Sequence, residues 1–269
     1  MKPGPFDYAR PATVERAAAL LAGSGFAKLL SGGQSLGPML NLRLARPDLL
    51  VDLTHIASLK EIRETKDFLE IGACVTHANI EDGLVPDCTN GMLPSVASNI
   101  AYRAVRNRGT IGGSLSHADP AADWVSTLTV LDAEIVIRGA KGQRRVPMAN
   151  YMLGTFEVAL EEGEFLEAVR VPRFSKSARW GYYKFCRKAG EFAEAIGAVV
   201  RDPERGVCRA VMGATHSTPI LVADATALIG QGFDAAAAGA LLDRHEITDA
   251  YERQLHVEAL RRATVQAGA

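Results

Sequence analysis

Apolar residues recur every three or four positions in "TVERAAALLAG" (13–23), which predicts a helix. Thr13 suits its N-cap, Glu15 its first turn, and Gly23 or Gly25 its stop. "FAKLL" (26–30), "DLLVDL" (48–53) and "FLEIGACVT" (68–76) are short apolar runs and predict strands. In "SLGPMLNLRLA" (35–45) helical spacing resumes, with Pro38 in the first turn, where a missing N–H is tolerated. Helical spacing returns in "LPSVASNIAYRAVRN" (93–107) and in "ADWVSTLTVLDA" (122–133), the latter predicting a buried helix. "EIVIRG" and "QRRVPM" flank "AKG" and predict a hairpin turning at Gly142. "GEFLEAVRVP" (163–172) closes this region as a strand.

A polar segment, "RFSKSARW", then marks a boundary near 172–178. "GYYKFCRK", "AIGAVVRD" and "VCRAVMGAT" predict three strands, whose connections are too short for parallel crossovers. From Ala223 the chain is Ala/Leu-rich and helical, in "ATALIG", "DAAAAGALLDRH" and "AYERQLHVEALRRATVQ". The pattern predicts an α+β fold with an N-terminal piece, a middle piece of sheet and helices, and a C-terminal antiparallel sheet with helices. No long repeat is visible.

Composition narrows the function classes. The 269 residues are 48% hydrophobic, enough for a sizeable core. A net charge of −1 argues against nucleic acid, for which a basic domain is expected. "MKPGPFDYARP" has no apolar core of a signal peptide, no lipidation motif is present, and no apolar run approaches the ~20 residues that span a bilayer. A soluble, cytoplasmic protein without membrane insertion is expected. Cys74, Cys88, Cys186 and Cys208 form no C-x-x-C or cluster-binding ladder and read as reduced, mostly buried thiols. The six histidines show no H-E-x-x-H spacing, so no protein-bound metal is expected.

The candidate chemistry lies in two similar segments, "SGGQSLGP" (31–38) and "TIGGSLSH" (110–117). Glycine admits positive φ and lacks the Cβ that would hold a ligand away. Successive backbone N–H groups can then face one concavity and hold an anion, with Ser or Thr adding a hydroxyl donor. One such loop is an ordinary turn; two in one chain point to a shared anion such as a pyrophosphate. Neither segment offers the lysine of a P-loop, and "GGQSLG" does not fit the G-x-G-x-x-G of a Rossmann unit.

"LLSGGQSLGPMLNLRLARPDLLVDL", "RNRGTIGGSLSHADPAADW" and "YKFCRKAGEFAEAIGAVV", in that order, resemble the FAD-binding medium subunit of molybdenum hydroxylases. That family includes carbon monoxide dehydrogenase, xanthine dehydrogenase and bacterial N-heterocycle dehydrogenases. The resemblance runs from "PGPFDYARP" to "ALRRATVQ" and implies the family's α+β, two-part FAD-binding region followed by a C-terminal domain. The implied divisions are an N-terminal FAD-binding subdomain (1–55), a second one (56–174) and a C-terminal flavoprotein domain (175–269).

The resemblance also implies site residues. Ser31-Gly32-Gly33-Gln34-Ser35 stands where the family usually has A-G-G-x-S, flanked by Leu29, Leu30 and Leu36. Thr110-Ile111-Gly112-Gly113-Ser114 is the second loop, and both would wrap the FAD pyrophosphate. Asp123 matches a carboxylate that hydrogen-bonds the cofactor's hydroxyl-rich part, and Lys184 a lysine near the flavin ring. Ile100 matches an apolar contact on the isoalloxazine, and Leu166 a further backbone or apolar contact. Phe192 departs from the pattern: the family often has tyrosine there, so any role of that hydroxyl does not carry over.

Taken alone, the same residues admit plainer readings. Asp123 suits a helix N-terminus, Lys184 a solvated strand face, and Ile100 the core. His77 and His117 read as structural or solvent-facing, and Arg103, Arg106 and Arg108 as a solvated face.

The function implied is electron transfer within a heterotrimeric oxidoreductase, as a dimer of heterotrimers. The molybdenum cofactor would sit on a large partner subunit and [2Fe–2S] clusters on a small one. FAD on this chain would pass electrons to an external acceptor, which fits a chain with no nucleophile, general-base pair or metal site of its own. The alternatives are a self-contained FAD-dependent oxidoreductase and a nucleotide-binding regulatory or scaffold module.

Overall fold

The computed structural model describes residues 2–230 and 232–268. Among the described residues three larger sheets, one parallel and two antiparallel, follow one another along the chain, with a two-stranded sheet beside them. The first is parallel: β1 (Asp7–Ala9), β2 (Ala27–Leu30) and β3 (Leu49–Asp52) lie in the order β1–β3–β2, connected through α1 (Val14–Gly23) and the short α2 (Leu36–Asn41). Thr13 caps α1, its Oγ1 accepting the Arg16 N–H at 3.3 Å. The spacing over 35–45 predicted a longer second helix. Instead Arg43 turns left-handed (φ 60), the Leu44 N–H returns to the Met39 carbonyl, and Leu42 and Leu44 end up exposed.

The second unit begins with β4 (Ile62–Glu64) and β5 (Phe68–Gly72). It continues through α3 (His77–Glu81), α4 (Met92–Ser98), α5 (Arg103–Arg106), α6 (Ile111–His117) and α7 (Asp123–Val130). It ends with β6 (Glu134–Gly139), β7 (Gly142–Pro147), the small hairpin β8 (Met152–Gly154) and β9 (Glu157–Val158), and β10 (Phe165–Pro172). The main sheet is antiparallel in the order β4–β5–β10–β6–β7. The strand expected over 68–76 stops at Gly72, because the next residues leave the sheet for a different partner, described below. The helix expected over 93–107 is two short ones. Ala101 breaks it at φ 44, and the Arg106 guanidinium holds the Ile100 and Ala101 carbonyls at 3.0 and 3.1 Å. The segment 110–117, read as a loop, is the start and body of α6. Every residue of α7 is buried, and its Thr127 and Thr129 hydroxyls donate to carbonyls one turn back.

The third unit is an antiparallel sheet of β11 (Arg179–Phe185), β12 (Ala195–Asp202), β13 (Val207–Gly213) and β14 (Ile220–Val222). It is followed by α8 (Thr226–Ile229), α9 (Ala235–Arg244) and α10 (Ala250–Gln266). β14 was not expected; its three residues are too few to carry a period. The near-continuous apolar run of β12 reflects burial on both faces. Ala198 and Val200 join the core shared with α7 and the second sheet, whereas Val199 joins a second core under α8–α10. All four cysteines are free thiols, Cys74 and Cys88 buried and Cys186 and Cys208 half-buried. Among the described residues no helix is long and apolar enough to cross a membrane.

Helix α10 lies directly on β11 and β12. A Cβ at Gly197 would stand 2.4 Å from the Ala259 carbonyl oxygen, and one at Gly181 1.8 Å from that of Ala263. Neither backbone can yield locally, so overpacking here should cost about 1–3 kcal/mol. Gly197→Ala is therefore expected to lower the melting temperature by several degrees, at ~2–4 °C per kcal/mol for a chain of this size. An unchanged melting curve would contradict this packing.

Candidate functional site

The two glycine segments, 79 positions apart, meet. Ser31 follows β2 and Thr110 precedes α6, and their hydroxyl oxygens are 2.9 Å apart. The Gly32 α-carbon lies against the preceding turn: a Cβ there would be 2.2 Å from the Arg108 carbonyl oxygen. Gly33 turns the chain at φ 71, a conformation that L side chains rarely adopt.

A third segment holds the second one in place. Residues 73–77 run antiparallel to 109–112: His77 N–H donates to the Gly109 carbonyl, Ile111 N–H to Val75 and Gly112 N–H to Ala73, all at 2.9–3.0 Å. Ala73 N–H in turn donates to Glu167 at the bulge in β10. Gly112 is glycine for this contact, since a Cβ would lie 2.5 Å from that of Ala73. Beneath it the buried His77 accepts the Trp124 indole N–H on Nδ1 at 3.0 Å. That bond requires a neutral ring, and burial, with Arg106 nearby, lowers the His77 pKa from its ordinary 6.5 to about 4.

The two segments are unequal as anion sites. In the second, all four N–H groups from Ile111 to Ser114 are taken: by Val75, by Ala73, by the Thr110 hydroxyl at 3.1 Å and by the Thr110 carbonyl. In the first, among the described residues, no protein acceptor takes the N–H of Gly32, Gly33, Gln34, Ser35 or Leu36. The exposed Ser35 also leaves its hydroxyl uncommitted at the entry to α2. The expectation that both loops offer backbone donors is thus corrected for the second, which contributes hydroxyls, a short-range wall and the exposed, side-chain-free surface of Gly113. Leu29, Leu30 and Leu36 beside the first segment are half-buried.

The other expected residues fall in two places. Asp123, the first residue of α7, and Lys184, on β11, form a buried ion pair at 3.0 Å, with side chains 6% and 8% exposed. Lys184 is therefore not on a solvated face. Its ammonium also donates to the Asn99 carbonyl at 3.2 Å, beside the half-buried Ile100, which stands in the turn between α4 and α5 and not on a helical stripe. Burial pushes the Asp123 carboxyl upward, opposed by Lys184 and by a hydroxyl from Tyr182, a residue the sequence did not single out. Leu166 is 3% exposed and packs within the protein. Phe192 is 64% exposed. Arg103 is held by Glu81 and Asp82, and Arg106 is held by Glu81 and braces the turn beside Ile100, so neither is part of a free basic face.

Five unpaired N–H groups beside a side-chain-free wall suit a diphosphate, and a carboxylate and an ammonium at a second place suit polar groups of a longer ligand. Residues 4–174 match the family model for the FAD binding domain in molybdopterin dehydrogenase. The chain belongs to this family. It is 40% identical over 201 residues to the carbon monoxide dehydrogenase medium chain of Hydrogenophaga pseudoflava, covering 74% of this chain and 70% of that one. It is 37% identical over 210 residues to the alpha subunit of the 6-hydroxypseudooxynicotine dehydrogenase complex of Paenarthrobacter nicotinovorans, covering 77% and 71%. A solved carbon monoxide dehydrogenase from Hydrogenophaga pseudoflava, lacking the Mo-pyranopterin moiety, has a chain that superposes with a TM-score of 0.90 at 34% identity, covering 100% and 99%. The molybdopterin-dehydrogenase family thus supplies the class: this is an FAD-binding medium subunit of an oxidoreductase, and FAD is its cofactor. The residues present fit that cofactor, through the open donors of Gly32–Leu36 and the bare surface of Gly113.

Two outcomes follow from this geometry. Gly32→Ala should lower the melting temperature of the FAD-free chain, because its Cβ meets protein backbone; a change seen only in FAD binding would contradict the contact. For His77 the folded-state pKa is depressed below the unfolded one, so its contribution is present above about pH 6.5 and is lost as pH falls toward 4. The full loss is worth roughly 3 kcal/mol at about 1.36 kcal/mol per pKa unit. The stability gap between the wild type and His77→Gln, measured by denaturant melts, should narrow between pH 7 and pH 4.5. A constant gap would contradict the neutral, buried ring.

Proposed function

We propose that this chain is the electron-outlet subunit of a heterotrimeric molybdenum hydroxylase. The observation that carries the reading is the junction of Ser31–Leu36 with Thr110–Ser114, which leaves five donors open on one side only. The pyrophosphate lies on the N–H groups of Gly32, Gly33, Gln34, Ser35 and Leu36, with the Ser35 hydroxyl added. Thr110, Ile111, Gly112, Gly113 and Ser114 form the opposite wall. Asp123 accepts from the hydroxyl-rich middle of the cofactor, and Lys184 and Ile100 approach the flavin ring. Leu29, Leu30 and the Leu166 backbone support the cleft. The three sheets act as domains divided as 1–55, 56–174 and 175–269, with Lys184 reaching across from the third to Asp123 in the second.

Bound FAD supplies storage of one or two electrons, which connects one-electron clusters to a two-electron acceptor. The protein's own residues bind it, orient it and exclude water from the Asp123–Lys184 pair. Substrate oxidation belongs to a large molybdenum-binding subunit and relay to a small [2Fe–2S] subunit, in a dimer of heterotrimers. Relatives are named for dehydrogenation of carbon monoxide, caffeine and glyceraldehyde, so the substrate is set by the large subunit.

The test is anaerobic. The purified chain loaded with FAD should show a flavin spectrum without cluster bands, bleach with dithionite and recover with an acceptor. Carbon monoxide, an aldehyde or an N-heterocycle should bleach it only after both partner subunits are added. Bleaching of the lone chain by such a substrate would overturn the reading in favour of a self-contained oxidoreductase.

A further inference from the structure

Tyr182 and Lys184 are two positions apart on β11, so their side chains leave the same face of the sheet. Both reach Asp123. Its Oδ1 accepts the Tyr182 hydroxyl at 2.7 Å and the Lys184 ammonium at 3.1 Å; its Oδ2 accepts Lys184 at 3.0 Å. An ionised carboxylate has about four acceptor positions. Oδ1 is thus filled, and Oδ2 retains one open position. Tyr183, between them, faces the opposite side, where it meets Arg262.

The strand that carries the hydroxyl is fixed. Tyr182 pairs with Ala198 on β12, and its N–H donates to the Gln266 side chain of α10 at 2.8 Å. Lys184 is less restrictive, because its ammonium is shared with the Asn99 carbonyl and can hold either carboxylate oxygen. Only the tyrosine distinguishes Oδ1 from Oδ2. A phenylalanine would fill the same space, so the hydroxyl is present for this one bond.

We propose that Tyr182 is a positioning residue of the cofactor site: by occupying Oδ1 it fixes the rotamer of Asp123 and presents the open position of Oδ2 to a hydroxyl of FAD. The inference rests on Asp123 being the cofactor's carboxylate, as proposed above. The groups facing Asp123 are Lys184 and Tyr182 from β11 and the Asn99 carbonyl from the turn after α4. Cys186 lies just past the end of β11, and His77, reached through Trp124, is neutral. A second effect follows from that surrounding. Lys184, Tyr182 and the backbone N–H of Asp123 itself favour the ionised carboxylate against burial, so losing the tyrosine bond should make Asp123 protonate at higher pH.

The experiment is an FAD titration of the full chain, read by flavin fluorescence from pH 5 to 8. The proteins are the wild type, Tyr182→Phe, Asp123→Asn and the double variant, each first checked by its melting curve. Tyr182→Phe should bind about tenfold more weakly at pH 7, the effect of one hydrogen bond to a charged group. Its loss of affinity in acid should begin at higher pH than in the wild type. In the Asp123→Asn background the tyrosine change should add little. Wild-type binding with an unchanged Kd and pH profile for Tyr182→Phe would overturn the inference, and so would an equal effect of Tyr182→Phe with and without Asp123. Failure of the wild type to bind FAD would instead overturn the proposed function.

Discussion

The approach of Gly32 to the Arg108 carbonyl is the contact on which the site depends. A side chain at 32 would force the first segment outward by more than an ångström, because the opposing atom is backbone and is itself held by the 73–77 pairing. Everything else at the junction needs that distance. The Ser31–Thr110 hydroxyl bond spans 2.9 Å only if the two chains touch, and Gly113 lies opposite Ser31 for the same reason. The first, parallel sheet and the second, antiparallel one are brought together by small residues and not by a large apolar interface at this point. This is why a diphosphate can sit in the crevice without a bulky side chain intervening.

The junction also separates two tasks that look alike in sequence. Both segments carry Gly-Gly and a hydroxyl residue. In one, glycine frees backbone donors. In the other, two donors hold α6 to the Ala73–Val75 segment, two are taken by Thr110, and glycine permits close packing. A buried N–H left unpaired is costly, whereas one facing a crevice is satisfied by water until an anion replaces it. The second segment is rigid scaffold and the first is the open donor row.

Much of this was legible. Helix α10, the β6–β7 hairpin and the antiparallel run β11–β13 follow from periodicity and turn residues alone, because each is decided by its own local pattern. What failed was decided elsewhere in the chain. The strand from Phe68 ends at Gly72 because 109–112 offers its residues other partners. The helix over 93–107 breaks at Ala101, whose neighbouring carbonyls are claimed by Arg106, itself anchored by Glu81. Lys184 alternates with aromatic residues and looks solvent-facing until Asp123 is found opposite it. Tyr182 gave a signal that was not used: a tyrosine two positions before a predicted site lysine on a strand shares its face. The repeated Gly-Gly pattern located the two segments and the resemblance named their ligand, but only the hydrogen bonds show which of them is open.

The central claim is that the donors of Gly32–Leu36 are free and those of Ile111–Ser114 are not. Amide hydrogen exchange, resolved by residue in the presence and absence of FAD, tests it directly. The account predicts fast exchange over 32–36 that slows strongly when FAD binds, and slow exchange over 111–114 that FAD barely changes. Protection appearing at 111–114 on binding, with 32–36 unaffected, would contradict it.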